Sequence, residues 1–350
     1  MNSIFGVGWQ DLYILDTNSL LINFTTAKIM SKPNEPKTQT VSDALKHAIE
    51  KFPTTPMAEV KATVPQDAAS WRELVQQRNA QQKKKIKNMR KQLDVSVELL
   101  EIAGVTVRKL TPKEVSPHFE NHVYIDVHGG AYVFFGGLPS IEEGLLIASR
   151  LGITVLSVDY AMPPHAPAPA ALCDLKAVYL ALLDSVDSRR ILVGGTSAGA
   201  GLVLALIQSL AAESISLPCA IYTGTPWVDL TQAGDSRQVN EGADRVLVTY
   251  EGLLKSAAAL YAGTIDLSHP SVSPIYGDFT SFPPVFIVAG TRDLFLSDAV
   301  RLHKKIRDFK GMSQLEIVEG LSHAEYLIAH ETPESYMTYD ELRAFFLQHL

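Results

Sequence analysis

Ile191-Leu192-Val193-Gly194-Gly195-Thr196-Ser197-Ala198-Gly199-Ala200-Gly201-Leu202-Val203-Leu204 is the stretch whose reading decides the fold. Its first part is apolar and β-branched, as a buried strand requires, and its last part is an apolar helical run. Between them stands Gly-x-Ser-x-Gly. A strand that turns sharply into a helix strains the backbone at the apex, so the positions two before and two after must lack bulk. Gly195 and Gly199 meet that demand, and Ala198 keeps the far side small. Ser197 is the candidate nucleophile.

Upstream, the run His122-Val123-Tyr124-Ile125-Asp126-Val127 reads as a central strand and ends in His128-Gly129-Gly130-Ala131-Tyr132. Acyl transfer needs N–H groups aimed at the oxygen that becomes negative in the tetrahedral intermediate. Consecutive glycines let backbone donors approach without Cβ atoms in the way. The amides of Gly129 and Gly130, with that of Ala198 after the nucleophile, are the candidate oxyanion hole.

A nucleophilic serine needs a base, and the base an orienting carboxylate, here in the chain order Ser, Asp or Glu, His. Pro283-Pro284-Val285-Phe286-Ile287-Val288-Ala289-Gly290 reads as a buried strand with Asp293 just beyond its C-terminal edge. Leu315-Glu316-Ile317-Val318 reads as the next strand, and the loop after it carries His323. Open α/β sheets place their sites at such edges. Asp298 is expected to start or cap the helix that begins near Ala299, so Asp293 is preferred as the acid. His330 lies beyond the loop, His269 in a turn, and His47, His303 and His349 in helical patterns; none has the strand-then-loop context of His323.

Taken together these segments resemble the hormone-sensitive-lipase-like carboxylesterases, bacterial esterase family IV, in the branch whose elbow reads GTSAG. Ser157-Val158-Asp159-Tyr160 through Ala166-Pro167-Ala168-Pro169-Ala170-Ala171 is similar to that family's DYRLAPEHPFPAA stretch. Pro270, Ser273-Pro274 and Phe282-Pro283-Pro284 resemble its segment before the acid. The resemblance implies an α/β-hydrolase fold: a doubly wound, mostly parallel sheet with a helical cap. It also implies no metal or other cofactor, hydrolysis of short-acyl carboxylic esters, and a homodimer.

The departures are specific. Ala131 stands where the family has a third glycine, which is easy at negative φ and strained at positive φ. Tyr160-Ala161-Met162-Pro163-Pro164-His165 lacks the family's Arg and Glu, and Ala324-Glu325 follows His323 where many members have Gly-Phe. None of these removes a catalytic atom; they bear on the acyl pocket. Tyr132, Phe134 and Phe135 either line that pocket or pack in the core, with Tyr132, Phe134 and Thr196 taken as substrate-binding candidates.

The chain of 350 residues, 46% hydrophobic and 20% charged, can bury one large core and a smaller appendage. A net charge of −7 argues against general nucleic-acid binding. The lysine-rich run Lys83–Lys91 reads as a solvated helix face beside Trp71, Leu74 and Val75. Cys173 and Cys219 are the only cysteines and read as reduced core residues. No apolar run reaches the ~18 residues of a membrane span. Leu12 to Ile22 is interrupted by Asp16 and lacks a basic lead, so it does not read as a signal peptide and a cytoplasmic location is expected.

Residues 1–30 read as an over-extended or disordered N-terminus, with Met30 an alternative start to Met1, and 31–40 as a loose lead-in. Residues 31–95 should then supply cap helices, over Val41–Phe52 and Ala69–Leu93. Residues 96–350 form the catalytic core, with a cap insert around 227–263 that is helical at Tyr250–Tyr261. The favoured function is a serine carboxylesterase acting through an acyl-enzyme on Ser197. Lactone, thioester or small-amide hydrolysis by the same triad is the alternative. A non-hydrolytic ligand-binding protein on this fold is opposed by the intact Ser, Asp and His.

Overall fold

A computed structural model describes residues 40–51 and 54–350, so the expectations for residues 1–30 and 31–39 lie outside the described residues. Helices α1 (Asp43–Lys51), α2 (Met57–Ala62) and α3 (Ala68–Gln92) precede the first strand. The Asp67 side chain starts α3 by accepting the Ser70 amide at 2.8 Å. The lysine-rich end of α3 keeps Ile86 and Met89 buried and turns its charges outward, with Lys85 paired to Glu142 at 2.6 Å. That is the solvated face expected from the charge run. Helix α2, squeezed between prolines, was not anticipated.

Strands β1 (Val95–Ile102) and β2 (Val105–Pro112) form an antiparallel hairpin closed by Ala103 and Gly104, both at positive φ. From there strand and helix alternate: β3 (Val123–Val127), α4 (Glu142–Ile147), β4 (Thr154–Val158), α5 (Ala170–Leu183), β5 (Ile191–Thr196), α6 (Ala198–Ala212) and β6 (Ala220–Gly224). After α7 (Ser236–Val239) and α8 (Leu253–Ala262) come β7 (Val285–Gly290), α9 (Leu296–Asp308), β8 (Ser313–Val318), α10 (Glu325–Ile328) and α11 (Pro333–Gln348). The eight-stranded sheet runs β1-β2-β4-β3-β5-β6-β7-β8 and is parallel from β4 onward. Central strands β3, β5, β6 and β7 are buried along their whole length, as a sheet covered by helices on both faces demands.

Alternate residues of those strands feed opposite cores. Ile125, Val193, Ile221 and Ile287 pack with Leu175 of α5, Val203 of α6 and Leu302 of α9. Tyr124, Leu192, Tyr222 and Phe286 pack with Leu145 of α4 and Phe346 of α11. This is the expected doubly wound α/β-hydrolase architecture. A smaller apolar cluster joins Trp71 of α3, Val133 and Phe134 beyond β3, and Leu253 and Ala257 of α8. Helix α3 and the insert therefore meet at the segment that follows β3.

One expectation is corrected here. Cys173 is exposed on α5 and Cys219 is half-buried; both are free, and neither is a fully buried core residue. Among the described residues no helix is long and apolar enough to cross a membrane.

Candidate active site

Because β3, β5, β7 and β8 run parallel, their C-terminal ends share one edge of the sheet. Gly129 follows β3, Ser197 follows β5, Asp293 follows β7 and His323 follows β8. Ser197 sits at φ 62° and ψ −120°, the strained apex expected of the turn. A Cβ on Gly195 or Gly199 would run into the Val127 carbonyl oxygen, so a strand end and a helix start approach too closely for any side chain. The Ser197 amide donates to the Gly224 carbonyl at 2.8 Å, and its own carbonyl accepts the Trp227 amide at 3.1 Å. The elbow is thus anchored to the end of β6 and the start of the insert.

His323 Nδ1 lies 2.9 Å from Asp293 Oδ1. Asp293 is fully buried and the same oxygen accepts the Phe295 amide at 2.8 Å. Burial opposes charging the imidazole, but the charge and hydrogen bond of Asp293, with Asp244 and Asp298 beyond, outweigh it and raise the His323 pKa above its ordinary value. Asp298 is engaged elsewhere. Asp298 lies in the first turn of α9 and does not cap it; Phe295 holds that position. Its Oδ2 accepts the amides of Val228 and Asp229 at 3.1 Å each and faces Arg237 at 3.1 Å in a buried ion pair.

The loop after β3 is bent more sharply than its sequence announces. Gly130 has φ 111°, and Ala131 and Tyr132 follow at 53° and 64°. Ala131 therefore takes the left-handed conformation that a glycine would adopt freely, at a cost of about 1–2 kcal/mol. Surrounding bonds hold it there: Val133 and Phe134 amides both donate to the Gly130 carbonyl, at 3.0 and 2.8 Å. Asn79 of α3 accepts the Phe135 amide at 2.8 Å, and Asp159 accepts that of Gly137 at 2.9 Å. Gly129 is so near the elbow that an added Cβ would sit 3.4 Å from that of Ser197. Among the described residues the amides of Gly129 and Gly130, in the loop, and of Ala198, at the start of α6, make no loop or turn hydrogen bond. Burial pushes the His128 imidazole down to about 4, so it adds no charge beside them at neutral pH.

The three substrate-binding candidates are placed as follows. Tyr132 is buried, its hydroxyl donates to the Trp227 carbonyl at 3.0 Å and its ring stacks on Tyr261 at 4.0 Å. Phe134 is buried against Trp71, under Arg78. Thr196 turns its hydroxyl away from the edge, to Glu143 at 2.8 Å and Tyr326 at 2.8 Å. Packing and internal hydrogen bonds occupy all three. Phe135 alone of the loop aromatics stays half-buried.

Sequence reasoning passed over Glu143 and Asp244, two buried carboxyls whose surroundings come from distant segments. Tyr222 joins Thr196 and Tyr326 around Glu143, and burial carries that carboxyl up to about 7. Asp244 in the insert is buried beside Asp293 and His323, and burial, then the Asp293 charge, raise its pKa. Among the described residues no group of three or more His, Cys, Asp or Glu side chains is arranged to hold a metal ion.

Residues 124–327 match the model of a family described as having the alpha/beta hydrolase fold. An acetyl-hydrolase of Streptomyces hygroscopicus is 33% identical over 57% of this chain and 67% of its own length. A putative acetyl-hydrolase of Mycobacterium tuberculosis is 31% identical over 67% and 74%. Among solved structures, the crystal structure of one esterase superposes with a TM-score of 0.88 at 41% identity, covering 95% of this chain and 99% of that one. An esterase from the bacterial hormone-sensitive lipase family superposes at 0.73 with 27% identity, covering 88% and 98%.

Proposed function

The chain belongs to the alpha/beta-hydrolase family, among the hormone-sensitive-lipase-like esterases, and is a carboxylic ester hydrolase; on that premise we propose that it acts through an acyl-enzyme on Ser197 and prefers short acyl groups. Ser197 Oγ attacks the ester carbonyl while His323 takes its proton. The amides of Gly129, Gly130 and Ala198 hold the oxyanion. His323 then protonates the departing alcohol, and water repeats the cycle on the acyl-enzyme. Asp293 orients the imidazole and stabilises its charged form.

The observation that carries this reading is the His323–Asp293 hydrogen bond of 2.9 Å at the sheet edge where Ser197 stands in its strained turn. Helix α3 meets the insert in the cluster of Trp71, Phe134 and Leu253, and the N-terminal helices with the insert are read as the cap. Short-acyl preference draws support from the near-complete burial of Ser197 and His323, at 8% and 4% exposure, and from the acetyl-hydrolases among the relatives.

The test is kcat/KM for p-nitrophenyl esters from acetate to palmitate, below the micellar limit. Each methylene gains only ~0.8 kcal/mol while it can be buried, and overpacking costs ~1–3 kcal/mol once the pocket is full. The constant should rise over the first few carbons and fall steeply by acyl chains of about ten. A constant still climbing at palmitate would contradict a closed acyl pocket.

A further inference from the structure

The peptide unit that joins Asp293 to Leu294 is gripped on both edges by side chains of the insert. On one edge Asn240 Nδ2 donates to the Asp293 carbonyl at 2.8 Å and, more weakly placed, to that of Thr291 at 3.2 Å. On the other edge the Leu294 amide donates to Asp244 Oδ2 at 2.9 Å. Asp244 Oδ1 is occupied by the amides of Val246 and Leu247, at 2.9 and 3.0 Å, so the carboxylate itself cannot turn. Asn240 and Asp244 belong to one tight turn, in which the Asn240 carbonyl accepts the Asp244 amide at 3.0 Å. The next residue reaches the other loop of the site: the Arg245 amide donates to Ser322 Oγ at 3.1 Å, beside His323.

We propose that Asn240 and Asp244 are positioning residues for the reaction, a lock on the Asp293–Leu294 peptide plane that aims the Asp293 carboxylate at His323. The inference rests on the acyl-enzyme reading of the site. Its chemistry is a matter of donor and acceptor polarity. A peptide plane presents its N–H and C=O in opposite directions, and here a carboxylate faces the N–H while an amide NH₂ faces the C=O. Turning the plane over would set N–H against NH₂ and C=O against carboxylate, with both edges wrong at once. The direction of the Asp293 side chain follows from the plane to which its Cα is attached. Neither Asn240 nor Asp244 need touch the substrate; each acts through Asp293. The lock also ties the acid's geometry to the insert, so that the segment roofing the site and the carboxylate orienting its base move as one.

A double-mutant cycle separates this role from a merely structural one. Hydrolysis of p-nitrophenyl acetate is measured for wild type, Asn240→Ala, Asp244→Asn, Asp293→Ala and the two combinations with Asp293→Ala. Asn240→Ala and Asp244→Asn should each lower kcat by about tenfold or more with little change in KM, since a small misplacement of a catalytic group is enough for that. In the Asp293→Ala background the same substitutions should cause less than about a twofold further loss, there being no carboxylate left to aim. Equal losses in both backgrounds, or no loss in wild type, would overturn the lock while leaving the esterase reading intact. Should Asp244→Asn fail to fold, Asn240→Ala, which removes the half-buried partner, carries the cycle alone. Full activity in Asp293→Ala would instead overturn the assignment of the acid, and the lock with it.

Discussion

His323 and Asp293 meet through a single 2.9 Å contact between Nδ1 and Oδ1, although they follow different strands and reach each other across the sheet edge. That bond gives the imidazole its direction and, with the buried charge behind it, its basicity. Asp298, five positions further on, contributes to the same field from its ion pair with Arg237. The two carboxylates can therefore be told apart by what their loss does.

Asp293→Asn should lower turnover by about 10⁴ with the fold retained, because the imidazole loses the partner that fixes its tautomer. Asp298→Asn should act on stability instead, since it leaves Arg237 buried opposite a neutral group, a change of about 3–5 kcal/mol at most. Thermal unfolding and kcat, measured on both variants, check the pair. A large kcat loss confined to Asp298→Asn would move the acid's role to that residue.

The pH dependence follows from the same pair. In the proposed mechanism His323 must be neutral to accept the Ser197 proton, and the charges of Asp293, Asp244 and Asp298 favour its charged form. On the acid side kcat/KM should therefore fall with a midpoint above the ordinary imidazole value of about 6.5. A midpoint well below that value would mean that burial, not the carboxylates, governs the base.

Glu143 should leave a mark on stability. Its folded pKa of about 7 exceeds the ordinary 4.5, so between those values the folded chain keeps a proton that the unfolded chain releases. Stability should fall as pH rises through that window, by about 1.4 kcal/mol per unit, and level off above it. Asp126, held high by burial and then by the Glu143 charge, adds to the same slope. Denaturant unfolding of Glu143→Gln from about pH 5 to 7 should give a shallower slope than wild type. Identical slopes would show that Glu143 does not hold its proton there.

The parts legible in the sequence are those whose chemistry is local. The turn at Ser197 needs small residues at fixed offsets, and Asp293 and His323, the proposed acid and base, each stand just past an apolar run. Gly129-Gly130 announced itself in the same way. The left-handed backbone of Ala131 and Tyr132 is less legible, because it belongs to a loop tied further on, at Phe135 and Gly137, by Asn79 and Asp159 from other parts of the chain. Nothing beside Thr196 tells that its hydroxyl meets Glu143 and Tyr326, or beside Tyr132 that it stacks on Tyr261. Asn240 and Asp244 sit in an irregular turn with no periodicity, and only the folded insert brings them to the Asp293 peptide. The strands and their order of residues are local facts; the backs of the loops are not.

The central claim is that Ser197 is the nucleophile, and the direct measurement is kcat/KM for p-nitrophenyl acetate in Ser197→Ala against wild type. Both should be purified free of host esterase and matched in circular dichroism and unfolding midpoint. The account predicts a loss on the order of 10⁵–10⁶ with the fold unchanged, since removing the nucleophile abolishes the covalent route. Turnover retained within about tenfold in the folded variant would contradict it.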